Sequence, residues 1–112
     1  MLHRKENNTM KKQRIQTSTT VLQKEISKEH VLRELRTIPG VGTSIALDLW
    51  NLGIHSKNAL KNKDPEDLYQ RYCDLVGHPV DRCLLYVFRC AIYYVSHRQH
   101  RPELLLWWNW KD

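Results

Sequence analysis

The chain has 112 residues, a formal net charge of +6 and a sequence pI near 9.4, which suits one small domain with a tail and favours an anionic partner. Four glycines and four prolines are too few for a fibrous or low-complexity protein, and no apolar run approaches the roughly 20 residues that a membrane helix needs. Three cysteines with no leader-like core ahead of them favour reduced thiols in the cytoplasm over a disulfide scaffold.

Residues 1–20 are polar and basic, interrupted only by Leu2, Met10 and Ile15. They predict a loose basic tail, with a folded domain over 21–112; such an arm can add nonspecific affinity for DNA. A first helix is expected from near Thr20 or Ser27 to Arg36, carrying Val21, Leu22, Ile26, Val31, Leu32 and Leu35 at close to helical spacing.

The stretch LRTIPGVGTSIALDL, Leu35 to Leu49, organises the rest. Leu35 and Ile38 close one helix, while Ile45, Ala46 and Leu49 line the next. Between them Pro39 resists continuing a helix, and Gly40 and Gly42 permit backbone angles closed to other residues. Val41 anchors the turn inward. The amides of Val41, Gly42, Thr43 and Ser44 then lie at the positive end of a helix dipole, where a phosphate can sit. The missing side chains of Gly40 and Gly42 would let a nucleic-acid backbone come close.

Helix two is expected over Thr43–Leu52, with Trp50 packing at its end and Gly53 as its stop. Ser56 is a plausible N-cap for a short turn at 57–60. Asp64 caps another helix, with Pro65 at its first position and Leu68, Tyr69, Tyr72, Cys73 and Leu75 inward. A long helix from Pro79 to His97 is apolar around most of its circumference, which places it mid-domain. Pro102 offers a last helix start, with Leu104, Trp107 and Trp108 on one side. No strand pattern persists, so the expected class is all-α.

Shifting the hairpin by thirty-seven positions sets Leu75, Gly77 and Cys83 against Ile38, Gly40 and Ala46. This suggests a worn second hairpin in LVGHPVDRC. Pro79 falls where Gly42 stands and has no amide hydrogen to give. Asp81 would repel a phosphate from the next helix start. The first hairpin is therefore expected to contact DNA and the second to be structural.

Gly40, Val41, Gly42 and Ala46 fall in the register of the helix-hairpin-helix motif, which this stretch resembles. The resemblance implies a small SAM-like domain that holds duplex DNA by its backbone without reading sequence. Further on, IPGVGTSIALDLWNLGI, GHPVDRCLLYVFRCAIYY and the terminal WWNWKD resemble a bacterial pathogenicity-locus family often labelled mitomycin resistance. That label implies damaged or crosslinked DNA as a context. Many DNA-binding hairpins place Lys or Arg right after the second glycine; here Thr43 and Ser44 stand there. Hydroxyls still donate to phosphate, and Lys57 and Lys61, with Lys63, are expected to supply charge.

Other constellations weigh less. Cys73, His78, Cys83, Cys90, His97 and His100 include no CxxC pair. Cys83 and Cys90 stand two helical turns apart, roughly 10 Å, too far to share an ion. No metal or cofactor is expected. The Cys and His pairs lack an oxyanion turn and an orienting partner, and a helix start explains Asp64, Glu66 and Asp67. The chain reads as a binding protein and not an enzyme. Trp107, Trp108 and Trp110 can seal the core, stack on bases or dock a protein. The rival function is accordingly a protein-interaction module, a homodimer included, with the tryptophan end as its working surface.

Overall fold

In the computed structural model, which describes residues 27–112, every regular element is helical. Val31–Asp112 forms one compact unit. The expected tail and the start of the first helix lie outside the described residues. The elements are α1 (27–35), α2 (Thr43–Asn51), α3 (Lys57–Leu60), α4 (Pro65–Val76) and α5 (Cys83–Ser96), followed by 3-10 turns at Pro102–Leu105 and Trp107–Trp110. No helix among the described residues is long and apolar enough to cross a membrane.

Capping chemistry sets the boundaries. Ser56 Oγ accepts the Ala59 amide at 3.0 Å and starts α3, and Asp64 Oδ1 accepts the Glu66 amide at 3.0 Å and starts α4 ahead of Pro65. Gly53, at φ +88°, ends α2: its own amide bonds the Trp50 carbonyl while the Ile54 amide reaches back to Leu49. Gly77, at φ +83°, ends α4, with the His78 amide returning to the Cys73 carbonyl. Both are left-handed stops that spend the last carbonyls of a helix, a conformation glycine adopts without a Cβ penalty.

Helix α5 is the hub. Leu85, Val87, Phe88, Cys90, Ala91 and Ile92 are buried along it, and α3, α4 and both 3-10 turns pack on it. Leu35, Ile38, Leu49, Leu60 and Leu68 complete a core in which Phe88 is the largest fully buried side chain. That matches the apolar circumference of this segment: a helix hydrophobic all round is stable only when covered all round.

Four expectations are corrected. The long helix begins at Cys83 and not at Pro79, because the Asp81 carboxylate accepts the Cys83 amide at 2.8 Å and ends the linker there. Leu75 points outward at 56% exposure, since the α4 face directed at α5 is the one bearing Leu68 and Cys73. The segment after Pro102 is not one helix: extended backbone at Leu106 (φ −98°, ψ 110°) breaks it into two 3-10 turns, leaving Trp107 partly buried and Trp108 48% exposed. Finally, the repeat register holds only as far as its glycine. Gly77 matches Gly40 in φ, but α5 starts six residues after Gly77 whereas α2 starts three after Gly40. Cys83 is accordingly an exposed first residue of α5, unlike the fully buried Ala46.

Candidate nucleic-acid interface

Helix α1 runs out over 36–38, where the amides of Arg36, Thr37 and Ile38 bond back to Leu32, Glu34 and Leu35. Ile38 and Val41 are buried, at 2% and 5% exposure, and pull the turn onto the core. Gly40 sits between them at φ +82°. A Cβ there would come within 3.4 Å of Trp107 Cδ1 and 3.7 Å of Val87 Cγ1, so the C-terminal turn packs directly against this glycine. Gly42 is the N-cap of α2 in extended conformation, φ −91°, with open space around an added Cβ.

The four expected amides do not form one set. The Val41 amide donates to the Ile38 carbonyl at 3.0 Å, so Val41 is an anchor and offers no donor to an anion. The first α2 bond is from the Ala46 amide to the Gly42 carbonyl, at 2.9 Å. The amides of Gly42, Thr43 and Ser44 therefore have no acceptor among the described residues, no side chain caps the helix, and all three residues are exposed. These are the orphan donors of a helix start, backed by its dipole. Gly40 is exposed on one side only, its other side being the Trp107 contact.

Lys57 and Lys61 sit elsewhere, at the first residue and the C-cap of α3. The Lys57 amide bonds Glu34 Oε1 and its Nζ bonds Thr37 Oγ1, both at 3.3 Å, tying α3 to the end of α1. Lys57 and Lys61 line a groove of about 410 Å³ with Glu34, Tyr94, His97 and His100. Its far wall is held in place: the Asn62 amide donates to Ser96 Oγ at 3.0 Å, His100 donates to the Tyr94 carbonyl at 2.7 Å, and the His100 and Tyr94 rings stack with centroids 4.8 Å apart. The sequence signal for this wall is the run HRQHR just past α5, whose histidines sequence reasoning weighs only as metal ligands and, for His97, as a catalytic partner of Cys90. Among the described residues no three His, Cys, Asp or Glu side chains gather to hold a metal ion.

On the Trp107 side of the turn lies a different surface. A groove of about 380 Å³ runs past Gly40 between Ile45, Val87 and Trp107, with the carboxylates of Asp48 and Asp81 in its lining. Burial pushes the Asp48 carboxyl up, partly offset by its hydrogen bond with Tyr72, while the Cys83 amide holds Asp81 below the usual carboxylate range. Asp81 in turn pushes the Cys83 thiol up, which keeps this exposed cysteine protonated and a poor nucleophile. A phosphate approaching the turn would be repelled on this flank and would meet open donors at the start of α2.

The tryptophan end folds back. Trp110 Nε1 donates to the Leu104 carbonyl at 2.8 Å, and Arg89 Nη1 donates to the Trp110 carbonyl at 2.8 Å. Asp112 binds both Arg82 and Arg89. Trp108 and Leu106 remain outside, at 48% and 40% exposure.

The described residues thus define a small all-helical domain with an open helix start on one side of a tight glycine turn. The family model described as "Pathogenicity locus" matches residues 28–112, and the chain belongs to that family. It is also 31% identical over 77 residues to the "Mitomycin resistance protein McrB" of Streptomyces lavendulae, an alignment covering 69% of this chain and 70% of that protein. No solved structure matches the chain.

Proposed function

We propose that α1, the glycine turn and α2 form a helix-hairpin-helix unit that binds the backbone of duplex or distorted DNA without reading its sequence. The observation that carries this reading is the exposed, uncapped start of α2, where the amides of Gly42, Thr43 and Ser44 are unspent and nothing lies within 4 Å of an added Gly42 Cβ. Three donors converging at a helix N-terminus suit a phosphate, and the hydroxyls of Thr43 and Ser44 add donors of the same kind. Lys57 and Lys61 supply a second strip of positive charge along the groove at α3, with Glu34 also in its lining. Residues 1–26 hold six of the 18 Lys and Arg but two of the 12 carboxylates, so much of the net charge is carried ahead of the domain.

One domain of this kind binds weakly, in the ~10⁻⁴–10⁻⁶ M range of nonspecific contacts, so its work in a cell needs a partner, a second copy or a further DNA-binding element. The name of the Streptomyces relative ties that protein to mitomycin resistance. Distorted or crosslinked duplex is therefore the substrate to compare with intact duplex. Binding of labelled duplex at two salt concentrations, by wild type and Gly42→Asp, tests the reading. It requires steep salt dependence and a large loss in the variant; unchanged binding removes the turn from the account.

A second reading is a protein-interaction module, and the observation favouring it is the adjacent exposure of Leu106 and Trp108. Self-association on dilution, for wild type and Trp108→Ala, distinguishes a homodimer through this face from a monomer.

A further inference from the structure

The groove beside Gly40 plays no part in the DNA reading, and its chemistry is opposite to that of a phosphate site. Its walls are apolar, with Ile45, Leu84 and Val87 opposite the indole of Trp107, and its polar groups are the carboxylates of Asp48 and Asp81 with the Tyr72 hydroxyl. No Lys, Arg or His lines it. Neither carboxylate has an ion-pair partner among the described residues; the ion pairs formed join Arg82, Arg89 and Arg101 to Asp112, Glu66 and Glu103. The Cys83 amide holds Asp81 Oδ1 in place at 2.8 Å before anything binds, and Tyr72 shares the lining with Asp48.

From this we propose that the groove is a binding site for a small organic cation, a protonated amine carried on a flat ring. A volume of about 380 Å³ is that of a small-molecule site, within the usual ~300–1,000 Å³. Apolar walls with a few fixed polar groups are the usual make-up of such sites. Charge complementarity selects the ligand's sign. The ring lies between Trp107 and the aliphatic side chains of α2 and α5, and the ammonium takes Asp48, with the aromatic face of Trp107 adding cation–π attraction. An anion, a nucleotide phosphate included, is rejected by the same two carboxylates. The site is independent of the DNA reading, since none of Gly42, Thr43 and Ser44 lines it.

The test is a titration of the full ¹⁵N-labelled chain with 2-phenylethylammonium and, separately, with the neutral 2-phenylethanol. The expected result is saturable shifts at the Trp107 indole and the amides of Asp48 and Leu84, with the amine bound about tenfold more tightly than the alcohol. Asp48→Asn should weaken the amine about tenfold and leave the alcohol unchanged. Cys83→Trp fills the groove from an exposed rim position and should abolish binding of both. It serves independently should Asp48→Asn fail to fold. Equal affinity for the two probes, shifts confined to other residues, or no saturation up to ~10 mM would each overturn the proposal. So would the same resonances moving with protein concentration alone, because a second copy of the chain would then occupy the groove.

Discussion

Arg89, in the middle of α5, and Asp112, at the last position of the chain, face each other with Nη1 2.9 Å from Oδ1. The same guanidinium donates to the Trp110 carbonyl at 2.8 Å and, through Nη2, to Glu66 Oε1 at 2.8 Å. One side chain therefore ties the start of α4 and the C-terminal turn to the hub helix. Arg89 is 19% exposed, shielded enough for these bonds to matter. The guanidinium reaches these acceptors from two nitrogens held apart in one rigid plane, Nη1 for Trp110 and Asp112 and Nη2 for Glu66, whereas a lysine has a single nitrogen to place. Arg89→Lys should thus destabilise the domain by about 1–3 kcal/mol, the range for lost hydrogen bonds to a charged group. Urea unfolding checks it, and an unchanged midpoint would show the C-terminal turn to be docked by its apolar contacts alone.

Acid should undo the same clasp. Hydrogen bonds from Arg82 first, and from Arg89, hold the Asp112 carboxyl below the ordinary aspartate range. A carboxylate whose folded pKa is depressed contributes stability above its unfolded pKa and loses it as pH falls through the folded value. Wild type should therefore melt higher than Asp112→Asn at pH 7. The gap should begin to close near pH 4 and vanish at lower pH, once wild-type Asp112 is protonated as well. A gap that persists in acid would assign the effect to packing and not to charge.

The two turn glycines should behave oppositely. Gly40 is at φ +82° and has Trp107 against it, so Gly40→Ala forces both strain and a shifted indole. The left-handed backbone alone costs about 1–2 kcal/mol for a residue with a Cβ, read as a lowered urea midpoint. Gly42 is at φ −91° in open space, at the N-cap of α2. Aspartate is among the best N-cap residues, so Gly42→Asp should match or slightly exceed wild-type stability. Its carboxylate would accept from the amides at the second and third helix positions, Ser44 and Ile45, and would repel phosphate. A folded, unimpaired Gly42→Asp that no longer binds duplex is the outcome the DNA reading requires.

How much of this is legible in the sequence follows the range of the interactions. Caps and stops are local, and Ser56, Asp64 and Gly53 can each be read from a few neighbouring residues, whereas Gly77, which the sequence sets against Gly40, proves to be the stop of α4. The apolar circumference of α5 is likewise a property of one segment, and it identifies the hub. What the sequence does not disclose depends on residues far apart. Nothing near Gly40 announces that Trp107 covers one of its sides. Asp112 pairs with Arg82 and Arg89 over separations of 30 and 23 positions, with no pattern to mark it. The Val41 amide is lost to a local bond, from Val41 to Ile38, but knowing this needs the actual turn geometry. At α5, proline and aspartate both signal a helix start two residues apart, and the hydrogen bond from the Cys83 amide decides for Asp81.

Charge at the candidate interface can be counted by salt. Lys57 and Lys61 line the groove with His97 and His100, whereas Lys111 lies near Asp81 and Cys83 on the acidic side. Each lysine that neutralises one phosphate contributes about 0.9 to the slope of log affinity against log salt on duplex DNA. Replacing both Lys57 and Lys61 with Gln should therefore reduce that slope by up to about 2, while Lys111→Gln leaves it unchanged. Lys57 also bonds Thr37 through Nζ. Its loss should cost little stability, since exposed polar pairs are worth roughly 0–1 kcal/mol, so a changed slope with an unchanged melting temperature reports the contact itself. If Lys111→Gln lowers the slope and the Lys57 and Lys61 double replacement leaves it unchanged, the backbone runs past Lys111, and the groove at α3 has no part in binding.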